Sequence, residues 1–262
     1  MPKPALHVEI CGQGPRLVLA HGFTQSGRVW GGLVDDLSVH HQLALVDLPG
    51  HGGSSDIRAD LVDGADLLGS AGGSAFYLGY SMGARFCLHL ALARPDLVHR
   101  LVLVSATAGI EAADERAERR RADEALAERL DPVGGGAAEN SVAEFIDRWA
   151  ANPIFGHVPA EANALDERKR NTAAGLASSL RMAGTGTQEP LWVRLGELRM
   201  PVLVVAGVRD TKFTGLGQRI VGAIGTNAHC VQISDADHAP HLQQPHPVAT
   251  VVHTFLSTPD PV

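Results

Sequence analysis

Cysteine is scarce in this chain of 262 residues, which has only Cys11, Cys87 and Cys230. The three lie far apart and form no C-x-x-C pair, which speaks against a disulfide framework. Free buried thiols in a reducing cytoplasm are the expectation. Long apolar runs are missing as well. The opening Met1-Pro2-Lys3-Pro4 has no apolar h-region, and no segment approaches the length of a membrane span. A cytoplasmic protein without membrane contact is expected. Positive charge is in deficit: 22 Lys and Arg face 29 Asp and Glu, for a formal net charge of −7. That balance argues against nucleic acid or an anionic membrane as partner, and any anionic small molecule would need a locally positive pocket. What is present, 45% hydrophobic and 19% charged residues, suits a soluble globular protein. The length allows one large core, so a single domain over 1–262 is expected.

Short apolar runs at 6–10, 16–20, 42–46, 75–78, 100–104, 202–206 and 229–233 read as strands, several so continuously apolar that both faces must be covered. Between them, 29–37, 84–93, 215–224 and 248–255 read as helices. Alternating β and α segments imply a mostly parallel sheet with right-handed crossovers. Such sheets bind ligands beyond the carboxyl ends of their strands. The stretch 108–196 breaks the rhythm. It is rich in Ala, Glu and Arg, contains no convincing strand, and carries a flexible Gly134-Gly135-Gly136. It reads as a helical cap inserted between core strands over the active site. The tail, 257–262, is expected to fray.

Chemistry enters at Gly79-Tyr80-Ser81-Met82-Gly83, set between an apolar strand and a helix-like run. There G-x-S-x-G places a serine on a sharp, strained turn with its hydroxyl exposed. In a chain with 29 glycines the pentapeptide alone is weak, so its context decides. His21-Gly22-Phe23 follows the 16–20 strand, Asp210 follows the 202–206 strand, and His238 lies in the loop after 229–233. Ser81, Asp210, His238 is the chain order of α/β-hydrolase triads. The expected fold class is therefore an α/β-hydrolase fold: a mostly parallel central sheet flanked by helices, with a helical cap. A serine hydroxyl is a poor nucleophile until an imidazole takes its proton, and a carboxylate orients that imidazole. His241 competes with His238 for the imidazole role, and Asp235 and Asp237 compete with Asp210. Both of these acids are too close in sequence to His238 to orient its ring easily. The spacing His238-x-x-His241 also invites a metal, but Pro240 disfavours the helix that would align the rings and no third ligand is apparent. Neither metal nor cofactor is expected. The backbone amides of Phe23 and Met82 are the candidate oxyanion hole, Met82 opening a helix whose dipole favours negative charge.

At these residues the chain resembles a narrower group. Gly79 to Arg85 is similar to the G-Y-S-M-G-G-R of the 2-succinyl-6-hydroxy-2,4-cyclohexadiene-1-carboxylate synthase family of menaquinone biosynthesis, with Ala84 in place of a glycine. Val46-Asp47-Leu48-Pro49-Gly50-His51-Gly52 resembles its V-D-L-P-G-H-G. In the cap, Phe145-x-x-x-Trp149, Pro153-x-Phe155, Gly184-Thr185-Gly186-Thr187-Gln188 and Leu191-Trp192 resemble family motifs, as do Asp210-x-Lys212-Phe213 and His238-x-x-His241. The resemblance implies a lyase whose triad serine acts as a base and eliminates pyruvate from an enolpyruvyl-bearing cyclohexene precursor, with no acyl-enzyme. A tricarboxylate demands cations. Matching places them at Arg85, Arg119 and Arg168, with Arg170 the rival of Arg168; Tyr80 and Trp149 are further substrate-binding candidates. Arginine suits the task because its planar fork grips a carboxylate bidentately. A solvated, salt-laced helix remains the plain reading of Arg119. A serine hydrolase, carboxylesterase or C–C bond hydrolase, acting on a small acidic substrate is the alternative function. A small anionic substrate is the implied partner, with a monomer plausible.

Overall fold

Seven strands join into one sheet: β1 (Val8–Cys11), β2 (Arg16–Ala20), β3 (Gln42–Val46), β4 (Ala75–Tyr80), β5 (Val98–Val104), β6 (Val202–Gly207) and β7 (Ala228–Ile233). Their spatial order is β1-β3-β2-β4-β5-β6-β7. Only β1 runs antiparallel to its neighbour; every other pair is parallel. The computed structural model describes residues 4–133, 138 and 141–259. Gly134-Gly135-Gly136 and the end of the tail, 260–262, lie outside the described residues. Along the chain the helices are α1 (Leu33–Ser38), α2 (Leu61–Gly72) and α3 (Met82–Ala93), then α4 (Ala113–Leu130), α5 (Val142–Ala150), α6 (Ala160–Asn163), α7 (Leu165–Arg168) and α8 (Ala173–Ala183) between β5 and β6, and finally α9 (Thr211–Ile224), α10 (Pro240–Gln243) and α11 (Pro245–Ser257).

The apolar strands are explained by helices on both faces. In β2, Leu17 and Leu19 point one way and join Leu33 and Leu37 of α1 and Val248, Val252 and Phe255 of α11. Val18 and Ala20 point the other way, into Leu68 of α2, Phe86 and Leu90 of α3 and Ile220 of α9. Period-two alternation with both faces buried yields an unbroken apolar run. Each fully buried Leu or Phe in these layers contributes about 1.5–3 kcal/mol.

A third core joins α4, α5 and α8 through Ala127, Leu130, Phe145, Ile146, Leu176 and Leu180, and Phe23 of the sheet region packs against it. Helix α4 itself is strongly polar, burying only Asp123, Ala127 and Leu130. Ion pairs from Arg181 of α8 to Glu124 (2.9 Å) and Glu128 (3.1 Å) stitch it down.

One expectation requires correction. The 29–37 helix begins at Leu33, because Gly31 takes φ +56° and the chain before it turns rather than coils. Helix α10 begins at Pro240, whose missing N–H costs nothing at that first position, so His238 lies outside the helix that carries His241, in keeping with the sequence reading. Helix α2 was not foreseen, since its glycines depress helix propensity. The structure supplies the reason for one of them: a methyl at Gly64 would run into the Phe86 ring of α3.

Candidate functional site

Ser81 sits between β4 and α3 with φ 49° and ψ −102°, in a region L-residues avoid. The turn holds because its flanks are glycine. A methyl at Gly83 would strike the Ala20 carbonyl of the neighbouring strand, and one at Gly79 would lie 2.5 Å from the Gly83 carbonyl oxygen. The Ser81 amide is secured by the Val104 carbonyl at 2.9 Å.

The structure brings Ser81, His238 and Asp210 into one hydrogen-bonded chain. His238 Nε2 is 3.2 Å from Ser81 Oγ, and His238 Nδ1 is 2.8 Å from Asp210 Oδ2. Asp210 and His238 are both buried, and each is fixed from behind. Asp210 Oδ1 accepts the Phe213 amide (3.1 Å) as the N-cap of α9. Ser105 Oγ donates to the His238 carbonyl (2.8 Å), and the Phe213 ring stands edge-on to the imidazole at 4.3 Å. The competing residues lie elsewhere. Asp235 pairs with Arg209 at the surface (2.6 Å), and Asp237 is engaged by Gln243 (3.0 Å). His241 is fully buried against Tyr80, ring centroids 4.2 Å apart, with neither ring nitrogen partnered. Burial pushes its pKa down to about 3.

Two histidines with no assigned role shape the turn that carries Phe23. His21 Nδ1 donates to the Gly22 carbonyl (2.8 Å) and its Nε2 accepts the Leu48 amide (3.0 Å). His51 donates to the Pro49 carbonyl (3.0 Å) and accepts the Thr24 amide (3.3 Å). An imidazole that accepts must be neutral, and burial holds His21 at about 4 and His51 at about 3. The V-D-L-P-G-H-G segment contained the second of these; no sequence signal marked its contact with Thr24.

A cavity of about 540 Å³ opens beside Ser81, with Phe23, Met82, Arg85, Arg119 and Trp149 in its wall. Trp149 packs edge-on against Phe23 at 5.0 Å. Arg85 is 6% exposed and donates to the Ala183 carbonyl (2.7 Å). Burial lowers its pKa to about 10, with Arg119 pressing the same way and Asp123 opposing. Among the described residues no carboxylate is within ion-pair distance of Arg85. Arg119 is paired one helical turn on with the buried Asp123 (2.9 Å), a spacing of four readable in the sequence. Arg168 is buried but does not line this cavity. It donates to the Asn163 carbonyl (2.8 Å) and to Thr24 Oγ1 (3.4 Å), close enough to Tyr80 and His241 to act on both electrostatically. Arg170 points outward and pairs with Glu167 (3.0 Å). Lys212, named in the sequence only as part of a motif and given no role, and Arg219 and Glu111, which sequence reasoning passed over, also line the cavity. Among the described residues no cluster of three or more His, Cys, Asp or Glu could hold a metal ion, and no helix is long and apolar enough to cross a membrane.

The model of the alpha/beta hydrolase family matches residues 17–251. A pimeloyl-[acyl-carrier protein] methyl ester esterase of Xanthomonas campestris pv. campestris is 31% identical over 257 residues, covering 96% of this chain and 99% of that protein. A putative 2-succinyl-6-hydroxy-2,4-cyclohexadiene-1-carboxylate synthase of Bacillus subtilis is 30% identical over 269 residues, 95% of this chain and 94% of its own. The solved structure of MenH from S. aureus superposes with a TM-score of 0.84 at 27% identity, covering 95% of this chain and 97% of that one.

Proposed function

The chain belongs to the alpha/beta hydrolase family, and we propose that within it this protein is a 2-succinyl-6-hydroxy-2,4-cyclohexadiene-1-carboxylate synthase, a lyase that eliminates pyruvate from an enolpyruvyl-bearing cyclohexene precursor. The observation that carries this reading is Arg85, buried in the wall of the Ser81 cavity with no carboxylate partner among the described residues. A buried cation with no carboxylate bonded to it, Asp123 being paired with Arg119, is costly. An anionic substrate relieves that cost, and a neutral ester cannot. In this reading Asp210 orients His238, and His238 draws the Ser81 proton. The Ser81 oxygen takes the ring proton next to the succinyl carbonyl. The electron pair moves onto the carbonyl oxygen, which the Phe23 and Met82 amides hold. When the pair returns, the C–O bond to the enolpyruvyl group breaks and leaves as the enolate of pyruvate, which takes up a proton. No acyl group is transferred to Ser81.

The second reading, a carboxylesterase, draws on the 31% identity to the methyl ester esterases over 96% of the chain. One experiment separates them. The enzyme is given the enolpyruvyl precursor in one vessel and a pimeloyl-[acyl-carrier protein] methyl ester in another, and pyruvate and methanol are measured. Pyruvate release that Ser81→Ala abolishes supports the synthase. Methanol release without pyruvate replaces it with the esterase.

A further inference from the structure

Helix α9 places Lys212, Phe213, Leu216 and Arg219 in the wall of the Ser81 cavity. The spacing i, i+1, i+4, i+7 is one face of a helix, and seven residues at 1.5 Å rise separate the Cα atoms of its two cationic residues by roughly 10 Å along the axis, a gap their long side chains can narrow. We propose that this face is a second anion subsite, in which Lys212 and Arg219 take a carboxylate of the substrate at a wall distinct from that of Arg85 and Arg119. As applied to the synthase, it rests on the reading above. That substrate has three carboxylates, and Arg168 does not line the cavity to receive one.

Local rules are broken where this subsite needs them to be. Lys212 stands in the first turn of α9, where the helix dipole repels a cation, and the acidic residue at that end, the N-cap Asp210, is bonded to the Phe213 amide and to His238. Departures from local preference without a packing gain concentrate at functional sites. Lys212 is exposed, and among the described residues no carboxylate pairs with it; its Nζ lies 5.8 Å from the Phe213 ring centroid. Phe213 in turn contacts His238, so the subsite adjoins the reacting centre. Arg219 is pre-oriented instead. Its guanidinium lies 3.8 Å over the Trp192 ring, and Trp192 is tied by its indole N–H to the Gly109 carbonyl (2.9 Å). Stacking leaves the edge of the guanidinium fork for a carboxylate.

That edge is now taken by Glu111, at 2.6 Å, in a pair that is half exposed on both sides. Glu111 thus holds the place of a substrate carboxylate and is displaceable, because exposed pairs are weak. Glu115 also lines the cavity, and Asp123 offsets Arg119. Among the described residues Arg85 and Lys212 are left without a carboxylate partner, one on each wall.

The test is equilibrium binding to the Ser81→Ala protein, which leaves esters intact. Isothermal titration compares phenyl acetate, phenyl hemiglutarate, and 4-carboxyphenyl hemiglutarate, which has a carboxylate on both sides of the ester. The dianion is expected to bind tightest. Adding Lys212→Ala should weaken it tenfold or more and the monoanion less than threefold. Glu111→Gln, by freeing Arg219, should tighten the dianion at least threefold, a gain that no loss of structure can mimic. A dianion no tighter than phenyl acetate, a Kd unmoved by Lys212→Ala, or weakening by Glu111→Gln would each overturn the subsite. None of these titrations depends on pyruvate release, so the subsite and the synthase can fail separately.

Discussion

At the scale of single residues, the proposed chemistry rests on a short chain of contacts from Asp210 through His238 to Ser81. A serine cut off from its base is a plain alcohol. Ser81→Ala, His238→Ala and Asp210→Asn are each expected to lower turnover by about a thousandfold or more, and the double variants to be little worse than the singles, because the three act as one unit. Steady-state rates of the single and double variants check this; a near wild-type Asp210→Asn would remove Asp210 from the role. Arg85 should matter only to anions. A charge-assisted bond is worth about 1.5–3 kcal/mol, so Arg85→Ala should reduce kcat/KM on the tricarboxylate by roughly ten- to a hundredfold. Nitrophenyl acetate, which has no carboxylate to offer, should lose far less. Equal losses on both substrates would mean damage to the fold instead.

At the scale of elements, the site depends on how closely α3 lies against β2 and β4. Gly83→Ala would force the α3 backbone away from the Ala20 carbonyl and is expected to destabilise the protein by several kcal/mol, read as a fall in Tm with loss of activity. This scale also shows what could be read in advance. The strands were legible because a sheet buried on both faces writes continuous apolar runs, Asp210 because it closely follows such a run, and His238 because it lies in the loop after the last strand. Helix α2 was not legible, since Gly64 answers to the Phe86 ring, a partner 22 positions away that local propensity cannot sense. Arg168 was recognised as a residue but not in its placement. Its surroundings, Asn163, Thr24 and Tyr80, come from three parts of the chain that only the folded insertion brings together. Arg219 was masked by its ordinariness, as a cation on an exposed helix, and Lys212 stood out only as a motif letter without a role.

At the scale of the whole molecule, a negatively charged protein encloses a cavity walled in part by cations, and buried neutral histidines support the turn at its mouth. These two histidines, together with the buried His241 against Tyr80, set the pH range. Folding holds His21 near 4, and His51 and His241 near 3, against an ordinary value of 6.5. Depressed values mean that the unfolded chain binds protons that the native one refuses. Stability is therefore full above pH 6.5 and falls as the pH drops from there towards 4 and then 3, each histidine adding a slope of about 1.4 kcal/mol per pH unit. Urea unfolding at pH 7.5, 5.5 and 4.5 should show this decline, with a shallower one in His241→Phe. The central claim is that Ser81 removes a proton and does not accept an acyl group. The most direct measurement is intact-protein mass spectrometry of enzyme quenched during turnover of the enolpyruvyl precursor, with pyruvate counted in the same sample. The expected result is many equivalents of pyruvate per enzyme with unmodified Ser81 at every time point; an acyl adduct on Ser81 that forms and decays at the rate of turnover would contradict it.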